Sequence, residues 1–126
     1  MKVIVAGSRS IKNKYWVTCL LGNLMEDVPY EQCAALPPEE IVCGMAEGPD
    51  LFGKEWAEYN KISVSTWPAD WNKYGKRAGI IRNEQMGEYA DALVAFWDGK
   101  SRGTKHMIDY MLSLGKEVHV YVNKTA

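Results

Sequence analysis

Short continuous runs of apolar residues recur along this chain, and a segment with helical spacing or polar turn chemistry follows each. Lys2 to Ala6 is a β-branched run stopped by Gly7, the pattern of a strand buried on both faces. Glu40 to Cys43 ends in the same way at Gly44, and Ile62 to Trp67, Ala92 to Trp97 and Glu117 to Val122 complete five predicted strands. Asn13 is placed to cap a helix reaching about Met25, with Val17, Leu20, Leu21 and Leu24 on one face. Pro49 suits the first position of a second helix, whose expected buried stripe is Phe52, Trp56 and Tyr59. A third helix is expected over about Gly79 to Tyr89. A fourth is expected from Thr104, as its cap, to Leu114, with Met107, Ile108, Met111 and Leu112 inward and Gly115 closing it. The pattern dissolves between Asp27 and Pro38, where Pro29, Pro37 and Pro38 mark a surface connection, and again in the polar-aromatic stretch from Pro68 to Ala78.

Alternating strands and helices predict an α/β domain whose mainly parallel five-stranded sheet is doubly wound, with helices on both faces. In such sheets ligands sit beyond the carboxyl ends of the strands, where the strand order reverses. The four arginines fit that place. Arg9, Arg77, Arg82 and Arg102 all fall in or beside segments that follow strands, whereas the eleven lysines are scattered. A guanidinium fork grips phosphate or carboxylate with two hydrogen bonds, so this bias points to a bound anion. Surface ion pairing is the alternative.

Composition narrows the classes. The 126 residues suit one domain over 1–126, and the apolar and charged fractions, 47% and 25%, are ordinary for a globular protein. A net charge of −1 argues against a broad nucleic-acid footprint and leaves room for a small phosphate-bearing ligand. No apolar run approaches a bilayer span and no signal peptide is legible, so a cytoplasmic location is expected. Cys19, Cys33 and Cys43 lack metal-ligand spacing, and Cys19 and Cys43 are expected to be buried free thiols. No metal and no cofactor are expected. Five tryptophans and seven tyrosines are many for so small a domain and favour a homo-oligomer.

Three loops carry candidate chemistry. Gly7-Ser8-Arg9 combines close backbone approach, a hydroxyl and a charged fork at the end of the first strand. Gly44 through Gly48, Pro49 and Asp50 link a strand to a helix, where exposed N–H groups favour phosphate. Asp50 is a candidate acceptor for a ribose hydroxyl, or simply a partner for the helix dipole. Asp98-Gly99-Lys100-Ser101-Arg102-Gly103-Thr104 reads as a phosphate nest. It lacks the lysine and hydroxyl residue that must follow the second glycine of a nucleotide-triphosphatase loop. Trp71 and Tyr74 offer stacking faces for a base, and Arg82 with Asn83 would close the site, though the aromatics could equally be packing residues.

Taken in order, these segments resemble the YspA-like, YpsA-related branch of the SLOG superfamily. They are Gly7-Ser8-Arg9, Gly44 to Gly48 with Asp50, Pro68-Ala69-Asp70-Trp71, Tyr74-Gly75, Ala78-Gly79, Arg82-Asn83, and Phe96-Trp97-Asp98-Gly99 with Ser101-Arg102-Gly103-Thr104. That superfamily includes the LOG and Smf/DprA proteins. The resemblance spans Val3 to Val120 and implies a Rossmann-like fold that binds a nucleotide or nucleotide-derived ligand, in bacteria or their phages. Met45 and Glu47 stand where relatives often carry glycine and arginine. LOG enzymes place a glutamate three residues after the threonine of their Gly-Thr motif, and here that position is Met107, which cannot do acid–base work. The expectation is therefore a sensor or sequestering module. A hydrolase using Asp50 or Asp98 is the alternative, and single-stranded nucleic acid is a third, disfavoured partner.

Overall fold

The computed structural model describes residues 1–25 and 38–124. Of the connection expected between Asp27 and Pro38, residues 27–37, with Cys33, lie outside them. Five strands form one sheet: β1 (Lys2–Gly7), β2 (Glu40–Cys43), β3 (Ser63–Thr66), β4 (Ala92–Trp97) and β5 (Glu117–Val122). Their order is β3-β2-β1-β4-β5 and every pairing is parallel. After β1 the chain winds outward through β2 and β3, then crosses back to place β4 on the other side of β1. The strand order therefore reverses between β1 and β4.

The helices are α1 (Lys14–Met25), α2 (Pro49–Tyr59), α3 (Trp71–Tyr74), α4 (Ala78–Tyr89) and α5 (Arg102–Ser113), with a 3-10 turn over Gly75–Arg77. The pleat of β1 divides the core. Val3 and Val5 pack with Val17, Leu21, Trp56 and Phe96 on the side of α1 and α2. Ile4 and Ala6 pack with Met86, Met107, Ile108 and Met111 on the side of α4 and α5. A strand buried on both faces has no polar position, and Val3 to Ala6 has none. Asn13 caps α1 through Oδ1, which accepts the Trp16 N–H at 3.0 Å. Pro49 opens α2 as expected. The α5 terminus closes in a Schellman pair, Gly115 N–H to Leu112 O and Lys116 N–H to Met111 O, with Gly115 at φ +71°.

Several expectations need correction. Tyr59 stands 88% exposed because it lies in the last turn of α2, beyond the sheet. Leu112 is 58% exposed, one turn past the buried Ile108. Cys19 is exposed on α1, while Cys43 is buried as expected. Ser101, not Thr104, caps α5, so the helix begins at Arg102. Within the polar-aromatic stretch, Asp70 accepts the Lys73 N–H at 3.0 Å and nucleates the single turn of α3. Among the described residues no helix is long and apolar enough to cross a membrane.

Candidate functional site

The ends of β1 and β4 are laced together by short polar side chains. Gly7 ends β1 where a Cβ would lie 2.5 Å from the Phe96 carbonyl oxygen and 2.6 Å from Pro49 Cγ, so no larger residue fits. Ser8 is 1% exposed. Its hydroxyl accepts the Asp98 N–H at 3.0 Å and lies 3.4 Å from Thr104 Oγ1. Ser10 donates to Asp98 Oδ2 at 2.8 Å, and Asp98 Oδ1 accepts the N–H groups of Lys100 and Ser101, each at 2.8 Å. Those hydrogen bonds pull the Asp98 carboxyl down to about 2, so it is a fixed anion that organises the loop. Gly99 takes the positive φ of +83° that this turn requires.

Beside this seam lies Asp50, 4% exposed in the first turn of α2. Its Oδ1 accepts the Gly7 N–H at 3.2 Å. Burial pushes its carboxyl up to about 7, with Arg82 and backbone N–H groups opposing the rise. Arg82 comes from α4. Its Nη1 donates to the carbonyl of Gly44 and, at 3.4 Å, to that of Trp67, while Nε donates to Asn83 Oδ1 at 3.3 Å. The guanidinium therefore ties the ends of β2 and β3 to α4. Burial lowers its pKa, with Asp50 opposing and the nearby Arg9 adding to the fall. Gly48 caps α2 at φ +88°, where a Cβ would lie 3.2 Å from the Ser8 carbonyl.

These elements enclose a cleft of about 460 Å³ at the carboxyl edge, over the point of reversal. Gly7, Arg9, Asp50 and Asp98 form one side, and Ser101, Gly103 and Thr104 form the second. Arg82, Asn83 and the half-exposed Trp71 form the third. Ten of the residues picked out from sequence thus converge. The other six do not line it: Ser8 supports it from below, Gly44, Gly48 and Gly99 shape its loops, and Tyr74 and Arg102 lie outside. The Tyr74 ring instead faces the Lys73 ammonium at 5.1 Å. Arg102 lines a separate shallow depression on α5 with Lys105, His106, Asp109 and Tyr110.

Two comparisons place the chain. The family model described as YAcAr: YspA, cpYpsA-related SLOG family matches residues 1–74. Gene 61 protein of Mycobacterium phage D29 is 32% identical over 111 residues, covering 83% of each chain. The chain belongs to the YspA, cpYpsA-related SLOG family. No solved structure matches it. The family match reaches from β1 to α3 and so includes Gly7, Arg9, Asp50 and Trp71, whereas Arg82, Asn83 and the α5 loop lie beyond it.

The SLOG cleft also contains residues that sequence reading did not select as binding residues. Ser10 extends the Gly7-Ser8-Arg9 turn by one position and was within reach of the same argument. Lys76 and Ile80 line the cleft only because the 3-10 turn and α4 start where they do, and no local pattern announces that. Met107 is 1% exposed and forms part of the cleft wall, so the position three residues after Thr104 presents an apolar side chain to the site. Asn83 links the third side to the second: its Nδ2 donates to Gly103 O at 3.1 Å and lies 3.4 Å from His106 Nδ1. Consecutive residues of α4 therefore hold the β2 loop and the start of α5 on opposite sides of one cleft.

Proposed function

We propose that this cleft binds a nucleotide or nucleotide-derived ligand, and that the protein acts as a sensor or sequestering module. One observation carries the reading. Arg9 and Lys76 line the cleft, their side chains making no ion pair or hydrogen bond among the described residues, and Arg9 stands close enough to Arg82 to depress its pKa. Asp98 also faces the cleft, but its oxygens are committed to Ser10 and to the N–H groups of its own loop, so the two cations remain available to a phosphate between them. The first N–H groups of α5 lie on the adjoining side, beside Gly103, which has no side chain to block approach. Asp50 is the acceptor for a ribose hydroxyl and the exposed Trp71 face is the platform for the base. Arg82, Asn83 and Ser8 hold the walls. Membership of the SLOG family supports the same ligand class, and the phage relative fits a protein acting in a host cytoplasm. Calorimetry against a panel of nucleoside mono- and diphosphates and their ribose derivatives is the test, and absence of binding across the panel would reject the reading.

A second reading rests on Asp50. A buried carboxyl near neutrality in a ligand cleft has the pKa of an acid–base group, which suits hydrolysis of a glycosidic or phosphate bond. Free base or inorganic phosphate released from a nucleotide on incubation, and lost in Asp50→Asn, would favour it. Met107 argues for binding without cleavage.

A further inference from the structure

The outer edge of β5 is built differently from the opposite edge of the sheet. β3 is four residues long, carries Ser63, Ser65 and Thr66, and spends the Ser65 hydroxyl on Glu40 at 2.7 Å. β5 runs six residues, Glu-Val-His-Val-Tyr-Val, and pairs only with β4 among the described strands. It contains neither proline nor lysine, the usual guards of an open edge. Lys116 just before it is engaged elsewhere, its ammonium donating to the carbonyls of Gly87, Glu88 and Ala90. Val120 and Val122 on this strand, and Leu112 and Leu114 at the end of α5, are all at least 37% exposed. His119 adds a buried Nε2 that makes no hydrogen bond, the Glu117 carboxylate 3.4 Å away being out of line.

We infer that a second copy of this chain covers this edge, β5 pairing antiparallel with β5 across a two-fold axis to give one continuous sheet. The backbone sets the register. Asn123 N–H donates inward to Trp97 O, so the odd-numbered residues of β5 turn their N–H and C=O groups toward β4. Val118, Val120 and Val122 therefore turn theirs outward. A two-fold axis normal to the sheet keeps each side chain on its own face, so one residue must stand on the axis. With Val120 there, Val118 faces Val122 of the second copy, and every outward N–H and C=O of the three valines is paired. With His119 on the axis, the histidines would oppose each other and Val122 would be left unpaired.

The strand ends are compatible with the antiparallel sense. Glu117 faces the uncharged Asn123 of the second copy, and Lys116, which comes opposite Lys124, turns its ammonium away to the carbonyls of Gly87, Glu88 and Ala90. The same register sets Tyr121 of the second copy opposite His119 and brings a phenol to the face where the orphan nitrogen lies. The contact is isologous and closes as a dimer.

Sedimentation velocity tests this. Wild type should run at twice the chain mass, while Val120→Lys and Val120→Glu, which place like charges on the axis, should each run at the chain mass. An equimolar mixture of the two variants should recover the dimer. Far-UV circular dichroism checks that the variants fold. If they do not, Val120→Cys in a Cys19→Ser background carries the test: mild oxidation should join the two axis residues into a covalent dimer, and failure to crosslink would count against the register. A monomeric wild type, growth into open-ended assemblies, or a dimer indifferent to these changes would overturn the inference.

Discussion

The hydroxyl of Ser8 accepts the backbone N–H of Asp98 at 3.0 Å, joining the ends of β1 and β4 where the strand order reverses. A ligand at a topological switch point needs the two strand ends held at fixed separation. Here a buried serine supplies that link, and the Thr104 hydroxyl extends it to the first turn of α5.

Ser8→Ala removes the acceptor and leaves the Asp98 N–H without it. The loss should cost about 1–3 kcal/mol of stability, the penalty for an unsatisfied buried group. Urea unfolding reads it directly. Affinity for the ligand should fall as well, because the Asp98–Ser101 turn loses its anchor.

Gly53 makes an argument in which two known effects have opposite signs. Glycine inside a helix is worse than alanine by roughly 1 kcal/mol, so Gly53→Ala should stabilise α2 on propensity alone. Yet a Cβ at Gly53 would lie 2.7 Å from Val5 Cβ and 2.6 Å from Val5 Cγ1. Val5 is fully buried and β-branched, with no rotamer to retreat into. Overpacking of about 1–3 kcal/mol should win, and a lowered thermal midpoint for Gly53→Ala is the expected result.

Much of this was legible in the chain, for identifiable reasons. Val3 to Ala6 and Ala92 to Phe96 are buried on both faces, so their continuous apolar runs mark strand and position together. The Gly7, Gly44 and Asp98 loops then fall at the carboxyl edge by topology. What escaped depends on where helices end and which way side chains turn. Tyr59 and Leu112 continue an apolar spacing beyond the surface that would cover them. Arg102 shared the glycine-containing turn of a phosphate fork, yet it opens α5 and turns to a depression outside the cleft, which no local pattern shows.

Asp50 makes stability depend on pH in an uncommon direction. Its folded value of about 7 lies above the unfolded carboxyl value near 4, so the native state holds the extra proton between them. Stability should fall by up to about 1.4 kcal/mol per unit as pH rises through that window, then level off above 7. Asp98 works oppositely: its lowered value gives stability that is present above pH 4 and lost as pH falls toward 2. Asp50→Asn keeps an oxygen for the Gly7 N–H and should abolish the slope between pH 4 and 7. Urea midpoints of both proteins across that range provide the comparison, and a slope that survives in the variant would contradict the assignment.

Arg9 and Arg102 separate by placement what their loops make look alike. Each follows a strand within a glycine-containing turn, but Arg9 lines the cleft and Arg102 opens α5 toward the depression that holds His106 and Tyr110. A charge-assisted hydrogen bond contributes about 1.5–3 kcal/mol, so Arg9→Ala should weaken nucleotide binding roughly tenfold to a hundredfold. Arg102→Ala should stay near wild type apart from a small, salt-screened change in long-range attraction. Raising ionic strength should therefore erase the Arg102 effect and leave most of the Arg9 effect in place. Calorimetric titrations of the two variants at low and high salt measure both, and equal losses would move the phosphate from the cleft toward the start of α5.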